Sequence, residues 1–207
     1  MANHVLYYAP GTCAVSPHIA LREAGVAFEL SRIDLKNRKT ADGSDWLAIN
    51  PKGYVPALRL PDGEVLTEGA VMLQYIGDLA PEKRLVPPAG SRERLRVQEW
   101  LHFIATELHK GASPLYNPLA GEEYKQQLRE QRLAARWKIL ADGLGDRPYL
   151  HSDHFTIADA YAFYVLRAWQ HAHKQTLDRW PTLARYYRQL ADRPTIAAAL
   201  AAEGTPA

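Results

Sequence analysis

Cysteine is nearly absent: Cys13 is the only one in 207 residues. One thiol cannot form an internal disulfide, a four-thiolate zinc site or a dithiol couple, so the chain reads as intracellular and any thiol chemistry uses Cys13 alone. A dominant charge is lacking too, with 25 Lys and Arg against 23 Asp and Glu and a formal net charge of +2. That balance excludes the clustered basic surface needed for nucleic acid or an anionic membrane. No run approaches the roughly 18 apolar residues of a membrane span, and the stretch from Met1 to Pro10 lacks a basic segment followed by an apolar one. A soluble, cytoplasmic protein is expected. Metal-ligand spacing is missing as well: His102 and His109, His151 and His154, and His171 and His173 lack a third ligand, so no metal site is expected. Neither a glycine-rich phosphate loop nor a Gly-x-Ser-x-Gly elbow occurs.

What is present is 47% hydrophobic residues in a chain long enough for two modest domains. The first eighty residues alternate short extended and short helical patterns, an α/β signature. Val5-Leu6-Tyr7-Tyr8 reads as a buried strand stopped by Pro10-Gly11. Ser16-Pro17 reads as a helix start, Ser16 at the cap, and Gly25 ends that helix. Phe28 to Ile33 reads as a second strand, with an irregular helical stretch around Trp46. A hairpin about Pro61-Asp62-Gly63 and a helix capped by Thr67 follow. Strand alternation ends at Leu85-Val86-Pro87-Pro88-Ala89-Gly90. Beyond it come helices started by Ser91, from about Glu122 to Ala141 with Gly143 and Gly145 ending it, started by Thr156 with Asp159, and from Trp180-Pro181 to before Arg193-Pro194. The expected domains are 1–81 (α/β), a linker over 82–90, and 91–207 (all-helical).

Cys13 lies between the first strand and the Ser16-Pro17 helix start. A lone cysteine is most often a small buried hydrophobe. A thiol at the positive end of a helix has its thiolate favoured, and Cys13-Ala14-Val15-Ser16 keeps the spacing of a redox Cys-x-x-Cys with Ser in second place. Such a thiol can form a mixed disulfide with an external thiol and cannot resolve it internally. Pro56 stands before a probable strand. It is either an edge-strand proline or part of a cis Val55–Pro56 bond that turns the Val55 backbone outward to pair with a peptide-like ligand. Glu68 and Gly69, where a strand meets a helix N-terminus, complement the helix dipole. They also supply a carboxylate and backbone N–H groups for the zwitterionic end of an amino acid. His102 and His109 share one helix face.

The segments from Tyr7 to Cys13, Asn50 to Leu58, Leu66 to Gly69, Glu107 to Lys110 and Phe155 to Ala160 together resemble cytosolic glutathione S-transferases. Cys13 and the Glu107-Leu108-His109-Lys110 string make the chain most similar to the bacterial beta class. The resemblance covers essentially the whole chain. It implies a thioredoxin-like N-terminal domain, an all-helical C-terminal domain and a homodimer. The implied activity is conjugation of the glutathione thiol to small hydrophobic electrophiles in detoxification, with glutathione as co-substrate and no cofactor, and with peroxidase or thiol-disulfide exchange as further activities. Carried over by position, Cys13 and His109 lie beside the glutathione sulfur, Val55 and Pro56 meet its cysteinyl part, and Glu68 and Gly69 form the γ-glutamyl site. Arg38 or Lys39 meets the glycyl carboxylate, and His102 stands where relatives commonly carry Asn. Ala112, Tyr116, Arg167 and Trp169 are the expected wall of the second-substrate pocket. Two alternatives stand beside this reading: a monothiol glutathione-dependent reductase using Cys13, and a non-catalytic ligand-binding member of the family.

Overall fold

A computed structural model of the chain describes residues 3–205; residues 1–2 and 206–207, the extremities of the expected domains, lie outside the described residues. The described chain divides into two units. One combines the residues up to Val86 with those from Asp192 onward, and the other is Pro87–Ala191.

In the first unit, β1 (His4–Tyr8), β2 (Phe28–Asp34), β3 (Lys39–Thr40), β4 (Ala57–Arg59) and β5 (Val65–Thr67) form one sheet in the order β3-β2-β1-β4-β5. β1 pairs parallel with β2 and antiparallel with β4, so the most apolar strand sits at the centre, where every β1 residue is buried. Helices α1 (Val15–Ala24) and α3 (Gly69–Leu79) pack on each other, and a short α2 (Trp46–Ile49) is capped by the Asp45 carboxylate, which accepts from Leu47 N. This is the thioredoxin-like arrangement. One core cluster joins Val5, Tyr7, Ile33, Trp46 and Ala57, with Val55 packed against it.

Two helix starts differ from the sequence expectation. α1 begins at Val15, before Ser16, because Thr12 turns the chain first: its carbonyl accepts from Val15 N at 3.2 Å and its hydroxyl from Ala14 N at 3.4 Å. Ser16 is left inside the first turn, its hydroxyl buried without a hydrogen-bond partner among the described residues. Thr67 ends β5, and the cap position of α3 falls to Glu68, whose φ of 70° is unusual for a side-chain-bearing residue. Gly25, at φ 68°, ends α1 as expected, donating to Arg22 O and Leu21 O.

A further helix, α9 (Pro194–Glu203), packs against α1 and belongs with the sheet, although residues 91–207 were expected to form one helical domain. Three contacts explain the placement. Arg193 pairs with Glu23 at 2.8 Å, the Thr195 hydroxyl donates to the same carboxylate, and buried His18 Nδ1 meets Glu203 Oε1 at 2.9 Å.

In the second unit, Ser91 caps α4 (Arg92–Phe103) by accepting from Arg94 N, and α4 continues as a π-helical stretch over Ile104–His109. α5 (Glu122–Gln127), a second π-helical stretch and α6 (Ala134–Leu144) make one long rod. Gly143 does not stop this rod. It lies within α6, where an added Cβ would come 2.4 Å from the Trp100 ring, so it is a close-approach glycine, and Gly145 is the cap. α7 (Ile157–His171) opens with the expected Thr156/Asp159 capping box, and α8 is Pro181–Ala191. Asp159 is fully buried. It accepts from Thr156 N, Thr156 Oγ1, Leu150 N and the Tyr186 hydroxyl, which ties the start of α7 to α8.

Candidate functional site

In the first unit the turn before α1 carries Cys13 to the loop before β4. Its thiol donates to the Val55 carbonyl oxygen at 3.5 Å, and the Val55–Pro56 bond is cis. The thiol is part-buried, so a diffusible thiol can reach it. Asn50 holds the same loop from behind, its Nδ2 donating to Tyr54 O at 2.8 Å.

Glu68 stands at the N-terminus of α3 with an exposed side chain. Lys52, not singled out in the sequence, donates to Glu68 Oε1 and to Thr67 Oγ1, each at 2.9 Å. The contact holds the carboxylate in place at the positive end of an eleven-residue helix. Gly69 follows, and nothing lies within 4 Å of where its Cβ would stand, so the space above the first turn is open.

Arg38 and Lys39 differ in commitment. Arg38 Nη1 donates to Gly53 O at 2.9 Å and lies so close to Gly53 that a side chain there would strike it. Its guanidinium therefore braces the Val55 loop. Lys39 is exposed at the start of β3, and its ammonium makes no hydrogen bond or ion pair among the described residues.

In the second unit, exposed His102 donates from Nδ1 to Gln98 O at 2.8 Å, one helical turn back. His109 closes the π-helical stretch. Its Nδ1 lies 2.8 Å from the Tyr161 hydroxyl and its Nε2 3.4 Å from that of Tyr164, with both phenol rings edge-on to the imidazole. Burial, aided by the Lys110 charge, pushes its pKa down to about 4, so the ring is neutral at pH 7. The π geometry belongs to this result, since a wide turn inside a helix re-aims the side chain that follows it.

Ala112, Tyr116 and Trp169 converge with His109, Trp137 and His173 on one narrow slot. Water-sized occupants find only about 10 Å³ there, on the order of one water. Arg167 is buried but does not line the slot. Trp169 is nearly buried and its indole N–H donates to Thr176 O, so it serves both the core and the slot wall.

The family profile "Glutathione S-transferase, N-terminal domain" matches residues 12–79, and "Glutathione S-transferase, C-terminal domain" matches 107–203. The glutathione S-transferase GstA of Escherichia coli O157:H7 is 44% identical over 199 residues, covering 96% of this chain and 98% of the relative. The chain belongs to the glutathione S-transferase family. Family members also match it in three dimensions. The bacterial transferase BphK, solved as a ternary complex, is 48% identical with a TM-score of 0.92, covering 97% of this chain and 99% of BphK. A beta-class transferase from Sphingomonas chungbukensis is 38% identical with a TM-score of 0.91, covering 98% and 100%. No described helix is long and apolar enough to cross a membrane.

Lys52, the Tyr161/Tyr164 pair around His109, and the Trp137 and His173 walls of the slot are what sequence reasoning missed. Lys52 had a signal, since it sits within the Asn50-to-Leu58 segment that carries the family likeness. The tyrosines had a weaker one in their spacing of three on a helix.

Proposed function

We propose that the chain conjugates glutathione to small hydrophobic electrophiles, as a cytoplasmic homodimer. The observation that carries this reading is the 3.5 Å approach of Cys13 Sγ to the Val55 carbonyl oxygen. It gathers, from positions 42 residues apart, a thiol and a main-chain acceptor on one part-buried loop edge. The Val55 backbone pairs with the cysteinyl part of glutathione as an added strand would, which sets the substrate sulfur beside Cys13. Glu68 takes the γ-glutamyl ammonium, and the Gly69 N–H at the start of α3 takes the adjoining carboxylate. Lys39 supplies the charge for the glycyl carboxylate, with Arg38 holding the loop.

The glutathione thiolate then attacks the electrophilic carbon, the leaving group departs with the bonding electrons, and the thiol proton passes to solvent. The protein's part is to favour the thiolate and to hold both reactants. His109, neutral and clamped by two tyrosines, acts as a hydrogen-bonding group and not as a fixed charge. His102 has Nε2 left over for a bond of the same kind. The slot wall of Ala112, Tyr116 and Trp169 meets the electrophile. Purified protein is expected to be retained on immobilised glutathione and to conjugate it to 1-chloro-2,4-dinitrobenzene; absence of both overturns the reading.

A second reading, a monothiol reductase, is favoured by one observation: the Cys13 thiol is part-buried, whereas Ser16 in the second Cys-x-x-Cys position is sealed inside α1. Cys13 thiolate would attack a glutathione disulfide, breaking its S–S bond, forming a mixed disulfide and releasing one glutathione thiolate. A second glutathione must resolve it. Exchange activity undiminished in Cys13→Ser excludes this reading.

A further inference from the structure

His109 is held unevenly by its two tyrosines. Nδ1 lies 2.8 Å from the Tyr161 hydroxyl, whereas Nε2 lies 3.4 Å from that of Tyr164, beyond the roughly 2.7–3.2 Å of a good N–H donor. Both phenols come from one face of α7, three residues apart, and each is buried. The base beneath them is rigid: Tyr161 stands two residues after Asp159, whose carboxylate accepts from Thr156, Leu150 and Tyr186. On its own segment His109 is fixed by the π turn, where Lys110 N donates to Ala105 O at 3.0 Å. A neutral imidazole has a proton on one nitrogen and accepts at the other, and burial leaves His109 neutral. A phenol is a better donor than an imidazole N–H, and a bare imidazole nitrogen a better acceptor than a phenol oxygen. In the short contact Tyr161 therefore donates and Nδ1 accepts, which leaves the proton on Nε2. The slot agrees with this assignment: His109 and Tyr164 line it and Tyr161 does not, so Nε2 is the nitrogen on the slot side.

We propose that Tyr161 is a positioning residue for conjugation: by donating to Nδ1 of His109 it fixes the ring proton on Nε2, from which His109 donates a hydrogen bond to the glutathione sulfur. This rests on the transferase reading and adds a residue to it. The long contact between Nε2 and Tyr164 is the one given up, because a thiolate accepts more strongly than a phenol oxygen. Tyr164 cannot replace Tyr161 in this role. A hydroxyl donating to Nε2 would move the proton to Nδ1, on the side away from the slot.

The test reads the tautomer directly. Nitrogen-resolved NMR of isotopically labelled protein at neutral pH separates a protonated imidazole nitrogen from a bare one, and the His109 signals are identified by their loss in His109→Phe. Wild type is expected to show Nε2 protonated and Nδ1 bare. In Tyr161→Phe the Tyr164 hydroxyl can donate to Nε2, so the proton should divide between the two nitrogens, whereas Tyr164→Phe should keep the wild-type spectrum. Tyr161→Phe is also expected to lower kcat about tenfold, the reach of one hydrogen bond, with KM for glutathione within about twofold. Made in the His109→Phe background, the same substitution should cost almost nothing further, whereas a merely structural Tyr161 would cost the same in both. A wild-type proton on Nδ1, an unchanged spectrum in Tyr161→Phe, or an equal loss of kcat in both backgrounds overturns the inference. The wild-type spectrum carries the test if Tyr161→Phe folds poorly. Because the spectra need no turnover, a wild type that binds no glutathione and conjugates nothing defeats the transferase reading, and the tautomer is still decided.

Discussion

The Cys13 thiol donates to the Val55 carbonyl across 3.5 Å, and the same Val55 side chain packs on the cluster of Val5, Tyr7, Ile33, Trp46 and Ala57. One residue thus faces the ligand edge through its backbone and the core through its side chain.

That division makes Val55→Ala a separating mutation. Removing two buried carbons is expected to lower stability by about 1–2 kcal/mol in a urea titration. The KM for glutathione should stay within about threefold, because main-chain groups do the recognising. A tenfold rise in KM would assign recognition to the side chain.

Lys52 and Glu68 should behave as a binding pair with little structural weight. Their side chains are 51% and 68% exposed, and exposed ion pairs contribute about 0–1 kcal/mol, so neither Lys52→Met nor Glu68→Gln should move Tm by more than a few degrees. Glu68→Gln removes the partner of the glutathione ammonium and is expected to raise KM for glutathione about tenfold or more. Lys52→Met, which only frees the carboxylate to wander, should raise it severalfold. Steady-state kinetics at varied glutathione reads both, and equal effects of the two variants would place Lys52 in direct contact with the substrate.

Burial pushes both His109 and His173 down to about 4. Between that value and the ordinary 6.5 the unfolded chain binds protons that the folded chain refuses. Stability is therefore fully present above pH 6.5 and is lost as pH falls towards 4, by at most about 2–3 kcal/mol for His109 and by less for His173, whose partly exposed ring is screened by solvent. His109→Phe should show a smaller loss of urea midpoint than wild type between pH 7.5 and 4.5. Identical losses would assign the acid sensitivity to other groups. Conjugation rates, for their part, should show no His109 inflection between pH 5.5 and 8.

Two glycines predict opposite outcomes for the same substitution. Gly143→Ala drives a methyl to 2.4 Å from the Trp100 ring and is expected to cost about 1–3 kcal/mol. Gly69→Ala meets nothing within 4 Å and should be neutral or up to about 1 kcal/mol stabilising. Thermal melts of the two variants decide the matter, and similar Tm shifts would contradict the geometry.

The succession of strands and helices along the first eighty residues, the Ser91 and Thr156 starts and the Gly25 stop were legible because each depends on residues within a few positions of one another. The Cys13 and Val55 candidates were legible too, as types in a motif. Their approach was not, since it depends on a pairing of β1 with β4 that no local pattern encodes. Ser16 misled because a hydroxyl before a proline looks like a cap, while the Thr12 turn starts the helix earlier. Arg38 and Lys39 were interchangeable as charges, and only the Gly53 contact separates them. α9 carried its own signals, Pro194 at the start and Gly204 after the end, yet nothing in the periodicity says that its Glu203 meets His18.

The 185 positions between His18 and Glu203 have a consequence for biosynthesis. α1 is made with Glu23 and His18 in place, but Arg193, Thr195 and Glu203, which pair with them, follow 170, 172 and 185 residues later. During translation the growing sheet therefore waits with a carboxylate and an imidazole unanswered. Such long-range closure slows completion and lengthens the exposure of an unfinished apolar face. A stop codon ahead of Pro194 would leave the ligand-binding sequence intact but without its closing helix, and the chaperones would meet that chain before glutathione did.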